Sequence, residues 1–218
     1  MEIPFEHLLL TCEVIIFISI ILMNLVKKNA DLVTLYVIES LALVGMLAGD
    51  GVREGGGELI IVTLIVLIIK VIFAPYFFYR FLRHSRLNML TSTYLNVPFT
   101  LTLLLTVIFF ANSALVEPLK NILMKEDPLP MMLVSSIIMS IVILINRKGT
   151  LSQIIGILSL ENTVVAFGFF LGQTQTLLIE IGILFNIVVW IVIATVFIEL
   201  VYQQLGSVEV TGLNKLKK

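Results

Sequence analysis

Charge is what this sequence has least of. Only 13% of its 218 residues are Asp, Glu, Lys or Arg, about half the ~25% of a soluble domain, so the solvating surface of a water-soluble globule is missing. Cysteine and histidine are scarce as well. Cys12 stands alone and cannot close a disulfide within the chain, and His7 and His84 cannot build a metal cage without ligands from other chains. Redox chemistry therefore has no foothold in this chain, which is expected to hold no cofactor of its own. With 14 basic and 15 acidic residues the net charge is -1. Such a balance sets up no field that would draw in nucleic acid or an acidic substrate, and any electrostatics that matter must be local.

Apolar residues fill the space instead, at 59% of the chain and a mean hydropathy of +1.09. The hydrocarbon core of a bilayer is ~30 Å thick and takes about 17 to 25 apolar residues per helical crossing. Seven segments meet that measure, near Phe5 to Val26, Leu32 to Ala48, Glu58 to Phe81, Tyr94 to Asn112, Met131 to Asn146, Leu151 to Leu171 and Thr176 to Val201. The second and fifth are at the short limit. The expected fold is all-α, a polytopic integral membrane protein of about seven transmembrane helices. The first segment lacks a basic leader, carries Glu13 within its apolar run and has no small-residue cleavage site, so it reads as retained rather than as a signal peptide.

The connections are short and leave no room for a catalytic domain outside the membrane. The run Gly55-Gly56-Gly57 and the stretch Ser113 to Pro130, with Pro118, Pro128 and Pro130, read as breakers between spans. The glycine run lacks the Lys-Ser/Thr ending of a phosphate-binding loop and does not follow a strand. It is a turn.

Positive charge gathers in alternate connections. Lys27 and Lys28 follow the first span, Arg80, Arg83 and Arg86 the third, Arg147 and Lys148 the fifth, and Lys215, Lys217 and Lys218 the seventh, ten of the fourteen in all. The other connections carry Arg53, Lys120 and Lys125 among Asp50, Glu54, Glu58, Glu117, Glu126 and Asp127. Basic loops face the cytoplasm, so the N-terminus is expected outside and the C-terminus in the cytoplasm, an alternation that needs an odd number of spans. Spans one to three and five to seven also form a weak repeat. A basic pair precedes a helix bearing a glutamate in both, with Glu39 11 residues beyond Lys28 and Glu161 13 beyond Lys148.

Charges inside the spans carry the most information. An ionisable group at the bilayer centre costs ~2.5 to 3.5 kcal/mol on insertion scales, so it faces protein or water and commonly marks an ion or proton route. At 1.5 Å per residue Glu161 falls ~15 Å into its span and Lys70 ~18 Å, both near the midplane. Glu39 falls ~11 Å from the cytoplasmic end of its span, and Glu13 and Glu180 ~12 and ~6 Å from the outer side. Glu58 and Glu199 sit at helix ends, where they reach the headgroups.

Two roles compete for the midplane set. A buried carboxylate near a movable lysine switches its protonation as that charge moves, which is the chemistry of a proton relay. Alternatively Lys70 and one glutamate form a fixed pair that sets helix register, as does Glu13 in its own span. Asn162 beside Glu161 and Asn186 six residues beyond Glu180 offer hydrogen-bond partners or anchors for water. The Gly45 to Gly49 and Gly168 to Gly172 motifs permit close helix approach, and their place at span ends fits packing or a turn. Pro75 removes a backbone donor five residues after Lys70 and should loosen the helix there.

Around these residues the chain resembles a known family. The stretch Ile145-Asn146-Arg147-Lys148-Gly149-Thr150-Leu151-Ser152-Gln153-Ile154-Ile155-Gly156, then Leu160-Glu161-Asn162, resembles a segment of hydrogenase-4 component E. So do Ile69-Lys70-Val71 with Pro75, Ile179-Glu180-Ile181-Gly182, and the tail Gly206 to Lys218 with Leu213-Asn214. Component E is itself similar, over its last three spans, to the K subunit of respiratory complex I and the C subunit of multisubunit cation/proton antiporters. The resemblance implies three parts: a four-helix membrane segment over 1–130, a three-helix K-like segment over 131–205 and a cytoplasmic tail over 206–218. It implies a multi-pass subunit of a prokaryotic inner or plasma membrane, itself non-catalytic, within a formate hydrogenlyase or related membrane-bound hydrogenase complex. Its neighbours would be antiporter-like membrane subunits and the membrane anchor of the peripheral hydrogenase arm, with nickel-iron and iron-sulfur centres in partner subunits. Glu161 matches the first of the two glutamates that lie on the proton path of K-type subunits, Glu180 matches the second, and Lys70 matches a lysine of the component E pattern.

The expected function is proton or cation translocation through Lys70, Glu161 and Glu180, with Glu39 as a further relay member and Asn162 and Asn186 in support. A purely structural membrane scaffold is the alternative. A stand-alone secondary transporter would want inverted repeats and broken helices at a midplane site, whereas the repeat here is parallel.

Overall fold

The computed structural model describes residues 5–54, 57–84, 92–113 and 129–171. Among them the chain is all-helical. The elements are α1 (Phe5–Leu25), α2 (Asn29–Glu54), α3 (Gly57–Val66), a π-helical segment (Leu67–Phe73), α4 (Ala74–His84), α5 (Val97–Ala111), α6 (Leu129–Asn146) and α7 (Thr150–Leu171). Among the described residues four helical stretches are long and apolar enough to cross a membrane: Phe5–Leu25, Asn29–Arg53, Ile60–Arg80 and Thr150–Phe169. Val97–Ala111 and Met131–Asn146 are apolar but shorter. The seventh apolar segment and the tail lie outside the described residues.

Helix ends depart from the apolar runs that announce them: α5 covers only Val97–Ala111 of the expected Tyr94 to Asn112, while α2 overshoots. The second span was expected over Leu32 to Ala48, yet α2 has 26 residues, about 39 Å of helix. It continues through Asn29 and Asp31 at one end and Asp50 to Glu54 at the other. Backbone hydrogen bonding sets a helix end, and polar residues sustain it wherever water or headgroups receive their side chains.

Two hairpins form the centre. The α1–α2 pair turns through Val26 to Lys28 and the α6–α7 pair through Arg147 to Gly149. They lie side by side in the same sense, with α1 against α6 and α2 against α7, so the four helices close a ring. Its interior holds Ile16, Ile20, Met23, Leu32, Val33, Tyr36 and Leu43 from the first hairpin and Leu133, Met139, Ile143, Ile155, Leu158 and Ala166 from the second. The stretch from α3 to α4 packs on α2 from outside, and α5 packs on α6 and α1. Only 17% of the Ile60–Arg80 stretch is buried, against 61% for Thr150–Phe169, so the former offers most of its apolar surface to its surroundings.

Small residues allow the close approach. A Cβ at Gly45 would sit 3.2 Å from Cys12 Sγ, and one at Gly49 2.7 Å from Leu8 Cδ2, so this glycine pair serves α1–α2 packing. Gly168, by contrast, has nothing within 4 Å of such a Cβ. At Gly156 an added Cβ would lie 3.2 Å from the Leu144 backbone nitrogen, and its absence lets α6 and α7 meet backbone to backbone.

One end of the ring is tied by polar contacts. Asn24 Nδ2 donates to the Met139 carbonyl at 3.3 Å. The Arg147 guanidinium, 1% exposed, donates to the carbonyls of Met23 and Val26, the latter at 2.8 Å. Those carbonyls end α1, and a cation there completes their hydrogen bonding and favours the helix dipole. Burial pulls the Arg147 pKa down to about 10, so the group stays protonated at neutral pH. Thr93 and Arg147 form an isolated antiparallel bridge, and Lys148 Nζ sits 4.7 Å from the Tyr94 ring centroid. Lys27, Lys28, Arg147 and Lys148 thus share one end of the molecule.

Candidate functional site

Lys70, Glu161, Asn162 and Glu39 meet in the interior although they stand far apart in sequence. Lys70 Nζ lies 2.8 Å from Glu161 Oε1 and donates to Asn162 Oδ1 at 2.9 Å. Asn162 Nδ2 in turn donates to Ser40 Oγ at 3.0 Å. Lys70 is 7% exposed, Glu161 1% and Glu39 0%. Ser159, Asn162, Lys70 and Glu161 surround the Glu39 carboxyl group, the first two as neutral donors facing it without a well-aligned hydrogen bond. The Tyr36 hydroxyl faces Ser40 and lies in the field of both glutamates.

Each group arrives from a different piece of backbone. Glu39 and Ser40 are adjacent on α2, so they point to neighbouring sectors of the ring interior. Glu161 and Asn162 do the same on α7, two and three residues after Ser159, whose hydroxyl is 3.3 Å from that of Ser140 on α6. Glu39 is ten residues into α2 and Glu161 eleven into α7, about 15 and 17 Å along their helices. This removes the difference in depth expected when the second span was taken to begin at Leu32.

Lys70 reaches the site from the middle of the π-helical segment. The Ala74 N–H closes an i to i−5 bond onto the Ile69 carbonyl. Its cause lies in Pro75, which supplies no N–H and crowds the carbonyl four residues back, at Val71; a wider turn relieves that crowding. Such single π turns inside α-helices recur at functional sites. The expected loosening near Lys70 takes this form.

Glu180 and Asn186 lie outside the described residues. Glu13 is fully buried on α1 beside Cys12, at the level of Gly45. Ser40, Ser159 and Tyr36 were not foreseen. A signal for Ser40 does exist: Asn24 precedes Glu39 by fifteen residues, and Asn146 precedes Glu161 by the same fifteen, with a small polar residue after each glutamate. Aligned on that spacing, the two hairpins place Ser40 where Asn162 stands.

Comparison with known proteins finds no matching family model, no matching curated protein and no matching solved structure.

Chemically, the site holds two carboxyl groups and one lysine amine among buried side chains. It has hydroxyl and amide groups that serve carboxylate and carboxylic acid alike.

Proposed function

We propose that this chain is a seven-span integral membrane subunit, N-terminus outside, in which Glu39, Lys70 and Glu161 carry protons or cations across or along the membrane domain of a larger complex. Glu180 extends the route toward a neighbouring subunit. On the resemblance to hydrogenase-4 component E, the complex is a membrane-bound hydrogenase or complex I relative. Antiporter-like subunits and the anchor of the peripheral arm are its partners, and nickel-iron and iron-sulfur centres in partner subunits of the complex do the redox chemistry.

The observation that carries this reading is the convergence of three ionisable side chains from α2, the π segment and α7 on one interior point. Ionisable groups are costly in a bilayer interior, and a fixed pair needs only two of them. Glu161→Gln is expected to lower proton or sodium translocation sharply while the assembled complex keeps its artificial-donor hydrogenase activity. Parallel loss of assembly and both activities would contradict it.

One observation favours the scaffold reading for part of the site: Lys70 touches Glu161 and Asn162 directly, as a register lock would. Replacing Lys70 and Glu161 together by apolar residues separates the two, since a scaffold tolerates the exchange and a relay does not.

A further inference from the structure

We propose that Glu39, rather than Lys70 or Glu161, takes up and releases the one exchangeable proton of the buried cluster. This deepens the relay reading and rests on it. The argument is one of charge and commitment. Lys70 is directed at α7, with Glu161 Oε1 at 2.8 Å and Asn162 Oδ1 at 2.9 Å, so its positive charge is matched. Glu39 is left over. Its side chain is 0% exposed, and among the described residues it has no ion pair of its own, only the neutral groups of Ser159 and Asn162 within reach. A bare carboxylate is not sustained in such surroundings, whereas the neutral acid is.

The charged and titratable groups around Glu39 are few. The π segment supplies Lys70 and α7 supplies Glu161, while α2 itself brings Tyr36. On α1, Glu13 sits level with Gly45, about 9 Å along α2 from Glu39, and the described side chains of α3 carry no charge. Arg80 of α4 is exposed. Ser159 completes the site, because a hydroxyl donates to the carboxylate and accepts from the acid without moving. Uptake forms one O–H bond on a Glu39 oxygen and cancels one negative charge, and release breaks that bond and returns the proton.

Infrared difference spectroscopy tests this on the full chain in lipid nanodiscs, between acid and alkaline buffer. The carboxylic-acid C=O band is expected to lose one carboxyl's area in Glu39→Gln, to shift in Glu39→Asp, and to keep its wild-type area when Lys70→Met and Glu161→Met are combined, which removes the matched charges together. The amide I band of the same spectra reports whether each variant remains folded. A band unchanged in folded Glu39→Gln overturns the proposal, as does equal loss in the folded Lys70→Met, Glu161→Met double variant. So does displacement of the band by sodium when sodium chloride replaces choline chloride, for the site would then take a metal cation. The relay reading fails separately: if Glu39→Gln loses the band but the complex translocates at the wild-type rate, Glu39 binds a proton that goes nowhere.

Discussion

Lys70 and Glu161 are worth more as a pair than either is alone. Removing one member of a buried ion pair leaves a charge with no counter-ion and costs about 3–5 kcal/mol, while replacing both with apolar residues is close to neutral. Lys70→Met should therefore unfold at markedly lower denaturant in mixed micelles, and Lys70→Met with Glu161→Met should recover most of the loss. Arg147 is tested in the same assay. Its guanidinium serves the Met23 and Val26 carbonyls, so Arg147→Gln is expected to cost roughly 1–3 kcal/mol per carbonyl left without a donor. Arg147→Lys should rescue only in part, because a single ammonium lacks the planar fork. At this scale much of the site was legible: Glu39, Lys70 and Glu161 stand out because charge inside apolar runs has few explanations. Ser40 and Ser159 did not stand out, since serine is ordinary in a membrane helix and its role depends on what faces it. The burial of Arg147 was hidden for the same reason. In sequence it is one more loop cation.

Among the helices, glycine sets the spacing. Gly156→Ala should destabilise the protein by about 1–3 kcal/mol, because the obstacle is the Leu144 backbone, which cannot swing aside. Gly168→Ala meets nothing and should be neutral or gain about 0.5–1 kcal/mol from the helix preference of alanine. Thermal unfolding of the two variants side by side checks the contrast. The apolar runs announced the helices themselves, since a bilayer demands length and apolarity together. They did not announce the π turn. Pro75 signals trouble with the backbone, but whether a helix answers with a kink or a wider turn depends on what it packs against, here α2.

On the scale of the whole molecule, parallel hairpins bring their two glutamates level, and the bound end of the ring gathers Lys27, Lys28, Arg147 and Lys148. With Cys12 replaced by serine, a cysteine at Lys27 should be labelled by an impermeant maleimide only from the cytoplasmic side of the membrane, and one at Arg53 only from the other. Labelling of both from one side would remove the orientation proposed here. The likeness of the two described hairpins was legible as two basic pairs ahead of two glutamates, the third member of the expected repeat lying outside the described residues, whereas the pairing of α1 with α6 and α2 with α7 is a property of three-dimensional packing that spacing along the chain does not encode. The account stands or falls on whether the buried charges move protons. The direct measurement is proton uptake into inverted membrane vesicles holding the assembled complex with both Lys70→Met and Glu161→Met, alongside its artificial-donor hydrogenase activity. Loss of uptake with assembly and donor activity intact is the predicted result; uptake at the wild-type rate would contradict it.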